Sequence, residues 1–199
     1  GFSSGGFSYF LTVQKDSVES SNYVTRIVRV CQGDEKYRTY TEVPLECNSS
    51  DGNTTTEYNI LTAAYVTQPG ENLSRNLGVP HLPPLTESDV LFTVFAKSES
   101  DSNEAVPGSA MCVYTLRDIR RTFTAAIQQC YRGIGNTGPA HITLPKGCTP
   151  TDLHIDDDYC GTYQLNHPIA GTNPMSREAI TLFPGALATS MIVAITHKY

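Results

Sequence analysis

Hydrophobic and polar residues alternate along several short stretches of the chain, a pattern typical of β-strands that bury one face. The first stretch, residues 7–13, places its aromatic and aliphatic side chains on one side. Residues 90–95 are apolar almost throughout, which predicts a central strand buried on both faces. The pattern therefore predicts a mainly antiparallel β protein, whose other strands are residues 23–31, 36–43, 59–67, 89–96, 110–116 and 190–196.

Polar residues that favour turns separate these strands. Residues 32–35, Gln-Gly-Asp-Glu, suit a hairpin turn, and the polar residues 97–109 predict an exposed hairpin loop. Residues 133–184 have no strong periodicity and are rich in Gly, Pro, Asn and Asp. Such a long irregular stretch is uncommon in a compact domain unless it is a functional loop or is tied down. Cys148 and Cys160 are placed to tie it down.

One helix interrupts the strands. Thr115 and Asp118 have the spacing of a capping box. Apolar residues then recur at helical intervals as far as Cys130, before Gly133 ends the pattern. We therefore predict a helix near residues 117–130. Its arginines are expected on the solvent-facing side, at positions 117, 120 and 121.

Length and charge narrow the class of protein. The chain has 199 residues, 39% of them hydrophobic, which fits one domain or a part of a larger one. Its 14 basic and 20 acidic residues give a net charge of −6, so nucleic acid and anionic membrane surfaces are disfavoured as partners. No apolar run approaches the ~18 residues that span a bilayer. The first six residues lack the features of a signal peptide, so we expect a processed chain or a piece of a longer one. Another protein is the expected partner class.

The cysteines favour an oxidising compartment. There are six of them and no CxxC spacing, so disulfides are the better interpretation, with 15 pairings open; six buried reduced thiols are the alternative. Three Asn-x-Ser/Thr triplets, at Asn48, Asn53 and Asn72, add weak support for a secretory route as candidate glycosylation sites.

Catalytic and metal-binding patterns are missing from the sequence. No GxSxG, HExxH, GxxxxGKS/T or GxGxxG motif occurs, so we expect neither an enzyme nor a cofactor. The consecutive acids Asp156, Asp157 and Asp158, with His154 before them, lack the alternation of a calcium loop, so no metal site is expected. Two interpretations stay open: one aspartate caps a turn while the others are solvated, or the carboxylates contact a partner.

Six sequence runs carry a family resemblance. FSYFLTVQ (7–14), TRIVRVC (25–31), DVLFTVFAKSES (89–100), SAMCVYTLRDI (109–119), QQCYRG (128–133) and IDDDYCG (155–161) resemble the sema domain of plexins, cell-surface receptors for semaphorins. The similarity extends in order over nearly the whole chain. It implies an all-β fold, part of a seven-bladed sema-type β-propeller with antiparallel four-stranded blades. It also implies three disulfides: Cys31 to Cys160, Cys47 to Cys112, and Cys130 to Cys148.

Residues 1–199 would then form a partial sema domain with no complete second domain. Strands near 10, 27 and 40 belong to one blade, those near 63, 92 and 113 to the next, and the one near 192 opens a third. Seven blades need about 300 residues or more, so parts of about three consecutive blades are expected.

The function that the resemblance implies is recognition. The chain would lie on the extracellular side of the plasma membrane, without direct membrane contact, and bind semaphorin for cell and axon guidance. Receptor self-association or a co-receptor are further candidate partners. The alternatives are the sema domain of a semaphorin ligand or of a receptor tyrosine kinase of the hepatocyte-growth-factor receptor type. A loop held between two cysteines is already ordered, so the candidate contact residues are Thr149, Pro150, Thr151, Asp152, His154 and Asp156.

Overall fold

The computed structural model describes residues 1–80, 88–100, 102–134, 138–139, 147–161 and 167–194. These residues fold into two compact units. The first consists of Gly1–Leu45 with Arg120–Met175, and the second of Glu46–Ile119 with Ser176–Tyr199. The helices are α1 (Glu71–Leu77) and α2 (Leu116–Tyr131). The strands are β1 (Phe2–Ser4), β2 (Phe7–Lys15), β3 (Tyr23–Cys31), β4 (Thr41–Ser50), β5 (Thr55–Tyr58), β6 (Ile60–Thr67), β7 (Val90–Ser98), β8 (Ala105–Thr115), β9 (Ile169–Ala170), β10 (Met175–Glu178) and β11 (Thr181–Phe183).

An antiparallel meander of β1, β2, β3 and the start of β4 forms the sheet of the first unit. The β2–β3 ladder runs without a break from Phe7 opposite Cys31 to Lys15 opposite Tyr23. Both predicted strands are confirmed, and β3 has the predicted bounds. Because alternate residues share a face, Phe7 and Tyr9 are buried together.

The strand predicted over residues 36–43 begins too early. Asp34 organises residues 32–40 as a turn, because its Oδ2 accepts hydrogen bonds from the backbone N of Thr39 (2.6 Å) and from Thr39 Oγ1 (2.8 Å). Tyr37 lies within this turn in the left-handed region, with φ 52°. Side-chain bonding by an aspartate competes here with strand pairing. Strand β4 therefore starts at Thr41.

The second unit contains a four-stranded antiparallel sheet in the order β11-β8-β7-β6. The predictions of strands at 59–67, 89–96 and 110–116 are confirmed by β6, β7 and β8. The predicted 97–109 loop is shorter, since β7 continues to Ser98 and β8 begins at Ala105. A disulfide between Cys47 and Cys112 closes this unit, with 5.8 Å between the Cα atoms.

The prediction of a strand over residues 190–196, expected to open a third blade, is wrong for residues 190–194, and the fourth strand of this sheet has no counterpart among the predicted strands. Strand β11 pairs with β8, with Thr181 opposite Met111, whereas residues 190–194 form no strand and residues 195–196 lie outside the described residues. Side-chain contacts hold the segment around Ala188, whose carbonyl accepts from Thr62 Oγ1 at 2.6 Å. The apolar residues after it pack on a buried cluster of Val79, Val90, Phe92 and Val113 instead of pairing.

Helix α2 follows its predicted course. Thr115 Oγ1 accepts the backbone N–H of Asp118 at 3.0 Å, as a helix N-cap does. Ile119, Phe123 and Ile127 form the buried face. The prediction for Arg120 is wrong: it is 9% exposed, and its Nη2 donates to Ser4 Oγ at 3.4 Å.

Gly171 lies at a close contact with β4 and α2 in the first unit. Gly171 donates its N–H to the carbonyl of Glu42 at 2.7 Å, just after the short parallel pairing of β9 with β4. A Cβ atom at Gly171 would lie 2.7 Å from Val43 Cγ1 and 3.0 Å from Ala126 Cβ. Because these neighbours belong to a sheet and a helix, they have little room to move.

We expect Gly171→Ala to lower the free energy of unfolding by about 1–3 kcal/mol, because an added methyl group overpacks this contact. Gly33→Ala is the matched control, since a Cβ there meets nothing within 4 Å. Chemical denaturation followed by circular dichroism measures both variants. Equal stability of the two variants would contradict the packing described here.

Candidate functional site

The candidate site is a loop that we call the rim loop, residues 148–161. A disulfide between Cys130 and Cys148 joins its first residue to α2, with 4.8 Å between the Cα atoms. A second disulfide joins Cys160 to Cys31 at the end of β3, with 5.7 Å between the Cα atoms. These pairs, like the pair Cys47–Cys112, are those that the resemblance implies. All of the rim loop belongs to the first unit.

Helix α2 holds the middle of the rim loop by hydrogen bonds. The backbone N of Thr151 donates to the carbonyl of Tyr131 at 2.9 Å. Gln128 Nε2 donates to the carbonyl of Ile155 at 2.8 Å. Ile155 is buried in one cluster with Ile127, Cys130, Tyr131 and Ile169. The loop is therefore anchored by an apolar side chain as well as by its two ends.

The consecutive acids divide between the two sides of the loop. Thr124 Oγ1 donates to Asp157 Oδ1 at 2.6 Å, so this carboxylate turns inwards. Asp156 closes a turn, since its Oδ1 accepts the N–H of Asp158 at 3.1 Å and its carbonyl accepts the N–H of Tyr159 at 3.2 Å. Asp156 and Asp158 are exposed. One aspartate thus caps a turn, as one of the two interpretations expects, but Asp157 is half-buried and bonded to α2 instead of fully solvated.

The predicted contact residues mostly face solvent. Thr151 is half-buried, because its backbone is bonded to α2. His154 lies beside Asp156, with Nε2 4.0 Å from Oδ2. The exposed members of the set are Thr149, Pro150, Asp152, His154 and Asp156. The structure therefore brings all six residues onto one ordered loop. Within the described residues, no group of three His, Cys, Asp or Glu side chains is arranged to hold a metal ion.

Two residues at this site carry no clear signal in the sequence. Leu153 is an apolar side chain on the exposed stretch of the rim loop, 37% accessible to solvent. Arg29 lies in β3 and donates from Nη1 to the carbonyl of Asp157 at 3.3 Å. The period-2 pattern of β3 could have placed Arg29 on the same face as Tyr9, since the two are cross-strand partners.

Arg29 is a buried cation packed between aromatic rings. It is 2% exposed, and its guanidinium carbon lies 4.2 Å from the ring centre of Phe7 and 5.0 Å from that of Phe123. Burial lowers the pKa of Arg29 from its ordinary value, while the nearby Tyr9 acts in the opposite direction. Attraction to the faces of the two rings offsets part of the lost hydration.

The three candidate glycosylation sites differ in exposure. Asn53 lies exposed at the turn between β4 and β5, and Asn72 lies exposed in α1. Asn48 is half-buried in β4, where its carbonyl accepts from the N–H of Ala179. Glycan occupancy stays a prediction at each.

The site offers hydrogen-bonding and charged groups on a fixed backbone. Exposed carboxylates and an imidazole are polar groups of the kind found at the solvent-accessible rim of protein interfaces. No helix within the described part of the chain combines the length and the apolar character that a membrane crossing requires.

Comparison with known proteins identifies the fold. The Sema domain family model matches residues 61–198, more than half of the chain. Human plexin-A2 is 34% identical over 193 residues, covering 92% of this chain and 10% of the relative. Human plexin-A4 is 36% identical over 206 residues, covering 100% of this chain and 10% of the relative. The chain thus spans about a tenth of the length of these curated relatives.

Solved structures agree with the sequence comparison. The plexin A4 extracellular region superposes with a TM-score of 0.78 at 32% identity, over 92% of this chain and 20% of that one. Drosophila Semaphorin 1a, extracellular domains 1–2, gives a TM-score of 0.54 at 19% identity over 93% of this chain and 37% of that one, which shows the fold alone. These neighbours are sema-type β-propellers, and the mostly β architecture found here is that fold. The chain belongs to the Sema domain family, and the relatives it resembles within that family are plexins.

Proposed function

We propose that this chain contributes to the ligand-recognition region of a plexin-like receptor at the plasma membrane. In this proposal its extracellular sema propeller binds semaphorins and signals in cell and axon guidance. The observation that carries the proposal is the rim loop, which is ordered by two disulfides and by α2 while five of its six candidate contact residues are exposed. The similarity to plexins over 92% of the chain supports the receptor assignment.

The order of the rim loop favours binding on physical grounds. A loop that becomes ordered only on binding loses conformational entropy at that moment, about 1–2 kcal/mol for each backbone residue that is fixed. Bonds from Gln128 and Thr124 to the loop already hold its backbone in the free protein. Because folding has already ordered the loop, binding of a partner loses less conformational entropy.

The charge of the exposed residues indicates the kind of surface that the rim loop fits. Asp152, Asp156 and Asp158 are exposed, whereas Asp157 is turned inwards. An acidic surface on the rim loop attracts a basic surface, and this attraction mainly raises the association rate. We propose that the matching face of the semaphorin is basic.

The domain organisation is part of the same proposal. The four-stranded sheet of the second unit has the strand number and antiparallel order of one propeller blade. With the meander of the first unit, this supports parts of two consecutive blades, and the third blade and the seven-bladed ring stay part of the proposal. Self-association of the receptor or a co-receptor stay further candidate partners. The semaphorin alternative has weaker support, at 19% identity against 32% for the plexin structure. The receptor tyrosine kinase alternative stays a prediction from the sequence.

The charge proposal is tested by Asp152→Arg in the full-length protein. We expect semaphorin affinity to fall about five- to tenfold, mainly through slower association, because the substitution reverses a rim charge. Glu19→Arg makes the same charge change at an exposed position in the first unit and should leave the affinity unchanged. Surface plasmon resonance measures both variants. Equal association rates for Asp152→Arg and the wild type would show that the charge of Asp152 does not contribute to semaphorin binding.

The proposal that the rim loop is ordered before it binds a partner is tested by Thr124→Val. This substitution keeps the shape of the side chain and removes the hydroxyl that holds Asp157. We expect affinity for semaphorin to fall about threefold or more, since one net hydrogen bond of about 1 kcal/mol no longer orders the loop. Thr124→Ser keeps the hydroxyl and should restore the affinity. If Thr124→Ser and Thr124→Val bind alike, order in the rim loop does not contribute to recognition.

A further inference from the structure

Tyr37 has a strained backbone on the surface of the first unit. Its φ of 52° lies in the left-handed region, and no other non-glycine residue among those the structure describes has a positive φ. Bulky residues rarely adopt this conformation, because the Cβ atom comes too close to the following carbonyl oxygen. Glycine adopts it freely, and asparagine tolerates it. Folding alone would therefore favour glycine or asparagine at this position.

Hydrogen bonds around Asp34 hold Tyr37 in this conformation. Asp34 Oδ1 accepts the N–H of Lys36 at 3.2 Å, and Asp34 Oδ2 accepts both the N–H and the hydroxyl of Thr39. The hydroxyl oxygen of Thr39 in turn accepts the N–H of Cys31 at 3.0 Å. These bonds fix the chain on both sides of Tyr37. Strain persists only where the surroundings determine the backbone in this way, and such positions are concentrated at functional sites.

The side chain of Tyr37 makes no contribution to the fold that would offset this strain. It is 68% exposed. Within the described part of the chain, its ring has no aromatic or cationic partner and its hydroxyl has no hydrogen bond. A rigidly held tyrosine suits a binding surface, because it buries a large apolar ring with little loss of side-chain entropy. The position therefore fits contact with another protein better than a role in folding.

The turn that carries Tyr37 adjoins the rim loop. It follows Cys31, whose disulfide joins it to Cys160 at the end of the rim loop. Thr39 borders the same small space as Tyr159 and Cys160. A specific interface of ordinary size takes about 20–30 residues from each partner, more than the rim loop alone supplies. A partner that covers the rim loop is therefore expected to reach a neighbouring segment, and this turn is covalently joined to it.

We propose that Tyr37 is an anchor residue of the semaphorin contact surface, which extends from the rim loop onto residues 32–40. The inference rests on the function proposed above and adds a contact of different chemistry. The exposed groups of the rim loop are mainly polar or charged, and charges act chiefly on the association rate. A buried aromatic ring acts chiefly on the dissociation rate. The matching feature of the semaphorin is an apolar pocket that accepts the ring.

The test measures Tyr37→Asn in the full-length protein, by surface plasmon resonance against a panel of semaphorin ectodomains. Loss of the ring should weaken semaphorin affinity about tenfold or more, mainly through faster dissociation. Because asparagine tolerates positive φ, the turn itself should remain intact. We therefore expect the amides of Lys36 and Thr39, both bonded to Asp34, to exchange hydrogen as slowly as in the wild type or more slowly.

Two further variants serve as controls. Tyr37→Phe keeps the ring and should bind closer to the wild type than to Tyr37→Asn. Val18→Asn removes another exposed apolar side chain of the first unit, 74% accessible to solvent. Val18 lies between β2 and β3, at the opposite end of their ladder from Cys31, so its replacement should leave the affinity unchanged.

The outcomes separate this inference from the function on which it rests. If the wild type binds a semaphorin and Tyr37→Asn binds it equally well, Tyr37 is not an anchor residue, and the rim loop stays the proposed contact. Equal weakening in Val18→Asn, or faster exchange of Lys36 and Thr39 in Tyr37→Asn, would also overturn the role given to Tyr37. If the wild type binds no semaphorin of the panel, the proposed function fails and this inference fails with it.

Discussion

Covalent closure of the rim loop is the constraint on which the candidate site depends. The disulfide Cys31–Cys160 joins residues 129 positions apart, and Cys130–Cys148 joins residues 18 apart. In the chain-entropy model, crosslinks of these sizes stabilise the folded chain by about 5 and 3 kcal/mol, mainly by restricting the unfolded chain. Between them lies a segment with almost no regular structure of its own. Its conformation is therefore fixed by the disulfides at its two ends and by the hydrogen bonds that α2 makes with it.

Helix α2 connects the core of the first unit to that loop. One side of the helix buries Phe123, whose ring lies 6.1 Å from that of Tyr9 on β2. Residues 124 and 128 carry the hydroxyl and the amide that bond the rim loop. Because these positions are four apart, they lie on one face of the helix. One orientation of α2 therefore provides both the apolar packing and the hydrogen bonds to the rim loop. A shift of the helix would disrupt both.

The sequence pattern predicts much of this fold and less of the site. Strand β3 and helix α2 are strongly periodic, so their positions follow from hydrophobic spacing. Helix α1 has seven residues in a polar stretch, too few to show a period, and its end depends on Gly78 in the left-handed region, with φ 62°. Arg120 is buried because Gly5, which has no side chain, leaves room for its guanidinium. A packing contact between residues so far apart in the chain cannot be predicted from the sequence around either residue.

The most direct measurement is hydrogen–deuterium exchange of residues 148–161 in the full-length protein without ligand. The account predicts that the amides of Thr151, Asp158 and Tyr159, each hydrogen-bonded in the structure, exchange more slowly than in an unstructured peptide of the same sequence, by about tenfold or more. Exchange at the rate of the unstructured peptide, with protection only after a semaphorin binds, would contradict a rim loop that is ordered before recognition.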